Sequence, residues 1–458
     1  MPKLASYYLP GLYIEDHSVE VPLDWRGTEP ERAAADGLPA GERINVFYRT
    51  VCAPQNVGRD LPLLVFLQGG PGGQGPRLLS PTSDGWIAEA IKHFRVVLPD
   101  QRGTGRSEHA SAKSVARRGN ARAQADYLKR LLARSIVRDF EYIRLTEFGG
   151  RAWTTLGQSY GGFLTLTYLS FYPQGVAASF TCGGIPHVPA SAADVYAHTF
   201  PRMAAKTRAY YARYPQDEAR MAAIADRLAA GDVTLPDGSP LTPRRLQTLG
   251  GGLGMKPAPE RLHNLLDTAF EAGDGSLANA GATPELTDGF LMGALENLTT
   301  AGNPLYWTLQ EFIYANGTLD APINWTAEHE YARHPEFDAT ARPLMLTGEA
   351  AFPFMFEDDP LLAPLKPAVD LLMQDTEFDP IYNERQLAAN EVPLQAAVYF
   401  DDLYVDSGLQ LDTLSRVGAS HAWVTNEFEH DGLHGSVVFA HLFEEALNRG
   451  DLERALRS

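Results

Sequence analysis

Cysteine is nearly absent: Cys52 and Cys182 are the only two in 458 residues. Two thiols cannot build a disulfide framework, and they lack the close paired spacing of a zinc site. A reducing compartment is therefore expected, with a cytoplasmic location as the default. Long apolar runs are missing too. The best, from Leu61 to Leu67, has the length of a strand, far short of the roughly 18 residues that cross a bilayer, so no membrane partner is expected. The opening segment MPKLASYYLPGLYIEDHSVEVPLDW contains no apolar core ahead of a small-residue cleavage site, and no secretion signal is read there. Positive charge is in deficit, with 39 Lys and Arg against 57 Asp and Glu, a net charge of −18. Such a field repels phosphate backbones and anionic lipid. It removes nucleic acid from the expected partners and reads as a solvating acidic surface.

What remains is the balance of an ordinary globular chain: 44% hydrophobic, 21% charged and 10% aromatic. The length suits two or three domain-sized units. GLYIEDHSVEVPL and ERINVFYRTV alternate as short strands around a charged turn and predict an antiparallel lead-in. LPLLVFL, FRVVLPD and RAWTTLG follow, each a continuous apolar run ending in a glycine-rich turn, which is the rhythm of a parallel α/β sheet. Between the last two, Ile136, Val137, Phe140 and Ile143 fall on one helix face and predict a crossover helix. After a further strand, GVAASFTCGG, the texture becomes rich in Ala, Leu, Tyr and Pro with few strand-like runs. The expected organisation is a core of residues 1–185, an inserted, mostly helical second domain of residues 186–391, and a return to the core over residues 392–458. That return holds VPLQAAVYFDD, HAWVTNEFEH and the amphipathic GSVVFAHLFEEALNR.

Three motifs carry chemistry. Gly157-Gln158-Ser159-Tyr160-Gly161 is a GxSxG between an apolar strand and the helical run FLTLTYLSFY. A nucleophilic serine needs such a sharp strand-to-helix turn, which projects Oγ above the sheet and aims the following N–H at a developing oxyanion. Otherwise the segment is only a glycine-rich helix cap. Gln68-Gly69-Gly70-Pro71-Gly72-Gly73 follows LPLLVFL and offers bare backbone N–H groups. With no Lys-Ser or Lys-Thr after the glycines it is no phosphate cradle. In a hydrolase of this layout the loop, with Gly70 as the candidate, supplies the second oxyanion donor beside the N–H of Tyr160; otherwise it is a plain flexible turn. Asp100-Gln101-Arg102-Gly103-Thr104-Gly105-Arg106-Ser107 reads as a rigid turn in which Asp100 and Arg102 hold neighbouring loops.

These three motifs, in this order, resemble the proline iminopeptidase (prolyl aminopeptidase) family of α/β-hydrolases, in which GGPG follows the third strand, DQRGxGxS the fourth, and GxSxGG forms the elbow. The resemblance extends to VTNEFEHDGL near the C-terminus. Gln68 stands where the shorter branch of the family has a His, so the sequence is similar to the longer branch with a larger cap. The resemblance implies an α/β-hydrolase fold, release of N-terminal residues, chiefly proline, from short peptides with a free N-terminus, and no cofactor.

A serine hydrolase of this order needs an acid and then a histidine downstream. Asp401, Asp402 and Asp406 all follow LQAAVYF. Asp402 is chosen, with Asp401 close behind and Asp406 fitting a helix N-cap. Among His421, His430 and His434, His430 rides a loop off the last strand, whereas His421 starts that strand and His434 reads as a surface residue. His329 and His334 resemble a metal-binding HExxH pair but are five apart, so they share no helix face well and no metal is expected. An exopeptidase also needs a carboxylate for the substrate ammonium. Glu311 and Glu349 sit amid apolar residues and look similar to the family's cap glutamates. Trp307, Tyr314, Phe352, Phe354 and Phe356 are candidate pocket walls or plain core. The resulting expectation is an acyl-enzyme exopeptidase. An esterase or amidase with the same triad is the alternative, and an idle binding protein on the same fold is a third reading. Oligomeric state is left open.

Overall fold

The computed structural model describes residues 3–274 and 284–457. Residues 275–283, within the expected second domain, lie outside them. A nine-stranded sheet organises the chain, in the order β1-β2-β3-β5-β4-β6-β7-β8-β9. The strands are β1 (Lys3–Leu9), β2 (Leu12–Pro22), β3 (Arg43–Cys52), β4 (Leu63–Leu67), β5 (Arg95–Pro99), β6 (Trp153–Gln158), β7 (Val176–Cys182), β8 (Leu394–Tyr399) and β9 (Ser420–Thr425). The first three and the β3–β5 join are antiparallel, and every pairing from β5 to β9 is parallel.

Strand β1 is absent from the sequence reading. KLASYYL alternates weakly because it is an exposed edge, paired on one side only. Its presence moves the GGPG loop to the end of the fourth strand and DQRGTGRS to the end of the fifth. At the other edge, β9 stops at Thr425, and NEFE, expected to continue it, is loop.

The continuous apolar strands are explained by burial on both faces. Val65 and Leu67 of β4 join one core, while Leu64 and Phe66 point into the other, as the two-residue period of a strand requires. Helices Ala133–Glu147 and Tyr160–Phe171 cover the first face, and Gly85–His93 and Val438–Arg449 the second. The crossover helix stands where Ile136, Val137, Phe140 and Ile143 place it. Between β7 and β8 the described chain forms helices, turns and isolated bridges but no strand of this sheet. Its long helices are Ala192–Arg213 and Pro215–Leu228.

Candidate active site

Every candidate residue from the core lies past the carboxyl end of a parallel strand, where open α/β sheets gather their ligands. Ser159 occupies the corner between β6 and the helix Tyr160–Phe171, with φ 54° and ψ −124°. A non-glycine residue in that region is strained, and the turn survives because the residues two positions to either side, Gly157 and Gly161, have no side chains. A Cβ on Gly161 would come within 1.8 Å of the Leu67 carbonyl oxygen, and one on Gly157 within 2.4 Å of the Gly161 oxygen. The elbow is thereby pressed against the end of β4, and the GGPG loop lies over it. A Cβ on Gly69 would sit 3.0 Å from Cβ of Ser159. Gly70, at φ 116°, adopts a conformation that side chains avoid. The loop is fixed from both sides: Gln101 Nε2 donates to the Gln68 carbonyl at 2.7 Å, and Asn303 Nδ2, from the insertion, donates to that of Pro71 at 3.0 Å.

The DQRGTGRS turn is scaffolding. Asp100, fully buried, accepts from the N–H groups of Gly75 and Arg106 and pairs with Arg77. Arg102 pairs with Asp139 and donates to the carbonyls of Pro22, Leu23 and Arg130. The guanidinium fork ties the antiparallel lead-in to the crossover helix.

Of the three acids after β8, the structure brings Asp402 to the histidine. His430 Nδ1 lies 2.8 Å from Asp402 Oδ2, while Asp402 Oδ1 accepts from the N–H groups of Tyr404 and Val405 at 2.8 and 3.0 Å. Asp402 is fully buried. Asp401 is exposed, and Asp406 caps the helix Ser407–Leu414, accepting from Leu409 N–H at 2.9 Å and pairing with Arg202. With its proton on Nδ1, the His430 imidazole donates to the carboxylate and leaves Nε2 as the acceptor. The ring lies 4.6 Å from that of Tyr404, and the backbone N–H of His430 donates to the Gly254 carbonyl at 3.0 Å. Burial pushes the imidazole pKa down, but the Asp402 charge and hydrogen bond, with Glu349 and Asp431 behind them, carry it above the ordinary value. The turn after β7 joins the pieces. A Cβ on Gly183 would stand 3.0 Å from Asp402 Oδ2, and one on Gly184 2.4 Å from the Ser159 carbonyl oxygen.

His421 lies exposed near the start of β9. His434 is exposed, yet it is not a bare surface residue, because its Nδ1 lies 3.0 Å from Asp84 Oδ1. His334 stacks on Phe200 and bonds Glu330, and His329 faces Asn324.

The two glutamates of the insertion stand apart from ordinary surface acids. Glu311 is fully buried, and its carboxylate accepts from the N–H groups of Thr326 and Ala327, both at 2.9 Å. Burial pushes its pKa up to about 8, against the pull of those two donors. Glu349 accepts from the Tyr306 hydroxyl, and burial raises its pKa to about 7, with Tyr306 and His430 opposing. Tyr314 lies within electrostatic reach of both and packs against Phe163 of the elbow helix and Tyr196. No ion pair to either glutamate is formed among the described residues. Of the other aromatics, Phe352 and Phe354 lie under the Arg244 guanidinium and Phe356 packs on Trp325, all as core. Trp307 stands behind Tyr306. Sequence reasoning missed Tyr306 and Tyr404. Tyr306 reaches Glu349 across 43 residues, and Tyr404, besides its N–H to the nearby Asp402, meets the His430 ring from far along the chain; only the aromatic-rich neighbourhood of Glu311 hints at the first.

Comparison with known proteins agrees with this geometry. The family model described as alpha/beta hydrolase fold matches residues 62–217, from β4 through the elbow and into the insertion. The proline iminopeptidase of Aeromonas sobria is 40% identical over 436 residues, covering 94% of this chain and 96% of that one. Proline iminopeptidase aneH of Aspergillus aculeatus is 33% identical over 399 residues, covering 85% and 86%. A serine elbow under a GGPG loop, an Asp–His pair from the last two strands, and near full-length identity at this level lead to one assignment: the chain is an enzyme of the proline iminopeptidase family, on the α/β-hydrolase fold.

Proposed function

We propose that the protein is a serine exopeptidase that releases N-terminal proline, and other small first residues, from short peptides through an acyl-enzyme on Ser159. The observation that carries the reading is the buried Asp402–His430 hydrogen bond of 2.8 Å, on the same glycine turn as the strained Ser159. In the reaction, His430 Nε2 takes the Ser159 proton as Oγ attacks the scissile carbonyl. The N–H groups of Tyr160 and Gly70 receive the oxyanion. The imidazolium, oriented and stabilised by Asp402, then gives its Nε2 proton to the leaving amine, and water attacking the ester by the same route frees the amino acid.

Exopeptidase specificity rests on Glu311 and Glu349. A buried carboxylate, Glu311, and a half-buried one, Glu349, both with raised pKa values and no cationic partner among the described residues, are costly by themselves. A substrate ammonium gives them the charge-assisted partner they lack. Residues 186–391 are the cap that brings these glutamates over the sheet, and peptides with a free N-terminus are the partners.

Turnover of proline-naphthylamide against a nitrophenyl ester tests the reading. Glu311→Gln and Glu349→Gln are expected each to lower kcat/KM on the amide by about ten- to a hundredfold, the size of a lost charged hydrogen bond, and to spare the ester. If both variants keep amide turnover while the neutral ester remains the better substrate, the protein is an esterase or amidase on this fold.

A further inference from the structure

One helix of the insertion grips both loops that carry the acid and the base. On Ala192–Arg213, Arg202 and Lys206 are four residues apart and so share a face. Arg202 pairs with Asp406 and donates to the Phe400 carbonyl at 3.0 Å and Ser407 Oγ at 2.9 Å, bracketing the turn that holds Asp402. Lys206 Nζ meets both carboxylate oxygens of Glu429, at 2.6 and 2.7 Å, and Glu429 is the residue before His430. Between them, Met203 packs where a Cβ on Gly348 would lie, 3.2 Å from Met203 Cγ, and Thr207 Oγ1 accepts from the Leu346 N–H at 3.2 Å, so the same helix touches the segment that presents Glu349.

The charges around His430 make the lysine more than a strut. Asp402, Glu349 and Asp431 face the imidazole. Glu429 is pushed up by burial, held down by Lys206, and pushed up again by Asp401 and Asp402. His434 lies beyond, and Lys256 binds the same loop, its Nζ donating to the Glu427 carbonyl at 2.9 Å and its backbone N–H to Asp431 at 3.2 Å. Without Lys206, Glu429 is one more uncompensated anion beside the base, on a loop left with only its ties to Lys256 and Gly254. We infer that Lys206 is a positioning residue: through Glu429 it fixes the His430 loop against the insertion and offsets the negative charge behind the imidazole. The inference rests on the proposed role of His430 as general base.

The test is steady-state turnover of proline-naphthylamide across pH by the full-length protein carrying Lys206→Met, Lys206→Arg or Glu429→Gln, with thermal unfolding in parallel. K206M is expected to lower kcat about ten- to a hundredfold with KM little changed, as misplacement of a reacting group does. Its acid limb of kcat should move to higher pH, because a lost cation favours the protonated imidazole. K206R should recover most of the rate. E429Q should move the acid limb the other way, to lower pH, and it serves if K206M does not fold. A wild-type kcat and acid limb in K206M, or an unmoved limb in E429Q, overturns the inference, whatever happens to the unfolding midpoint. A His430→Gln variant separates the levels: if it still turns over, the role of His430 itself is wrong; if it is dead while K206M is unaffected, only the role of Lys206 falls.

Discussion

Gly161 shows how little freedom the elbow has. A methyl group there would overlap the Leu67 carbonyl, a backbone atom that cannot step aside without moving β4. Gly161→Ala is therefore expected to cost about 1–3 kcal/mol or more of stability and to abolish labelling of Ser159 by a fluorophosphonate. Normal labelling and an unchanged unfolding midpoint would show that the corner is looser than its contacts imply. The two insertion glutamates set a second expectation at this scale. With pKa values near 8 and 7, Glu311 and Glu349 are largely protonated in the free enzyme below neutrality and ionise as pH rises. Affinity for an ammonium-bearing substrate should rise over that window and not below it. The kcat/KM profile on proline-naphthylamide should thus carry a limb near pH 7–8 that Glu349→Gln weakens, and a neutral ester should lack it. Folding stability follows the opposite sign. An acid whose pKa is raised by folding favours the native state at low pH, and that contribution fades as pH climbs from the usual glutamate range through about 8.

At the scale of elements, what was legible in the sequence was what is local. The strand–glycine–helix texture around 63–73, 95–107 and 153–171 follows from chain-neighbour sterics and burial on both faces of the sheet, so motif and strand coincide. KLASYYL gave no such signal because an exposed edge strand has no buried face to imprint a pattern. The acid was ambiguous among Asp401, Asp402 and Asp406 because neighbouring residues on a turn point in different directions, and only the partner 28 residues away decides between them. Asp406 fulfilled its capping expectation and added a contact no spacing announces, to Arg202, 204 residues back. Asp406→Ala should therefore cost about 1 kcal/mol for the cap, read as a lowered urea midpoint. It should also cost turnover, because Arg202 loses one of its three holds on the Asp402 turn, keeping those on the Phe400 carbonyl and Ser407. A stability loss with full activity would make the cap merely structural.

For the whole molecule, the insertion is what the sequence revealed least. Its helical texture was readable, but the contacts that matter, Asn303 on the GGPG loop, Lys206 on the His430 loop and Tyr306 on Glu349, join segments far apart in the chain. The net charge of the whole chain, −18, acts at a longer range. An acidic field draws in peptides of net positive charge, and salt screens it beyond about 10 Å at 0.1 M. The kcat/KM for a Pro-Lys-Lys peptide should fall as ionic strength rises, while that for a net neutral Pro-Gly-Gly peptide stays nearly constant. Equal salt dependence would remove steering from the account. All of this depends on Ser159 being activated by an imidazole that Asp402 orients. The most direct measurement is the rate of proline-naphthylamide turnover in Asp402→Asn, with Ser159 acylation followed by mass spectrometry. The expected result is a fold preserved, a mass gain confined to the Ser159 peptide in the wild type, and turnover reduced by about ten-thousandfold in the variant. An acyl group found on another residue, or an Asp402→Asn enzyme of undiminished rate, would contradict it.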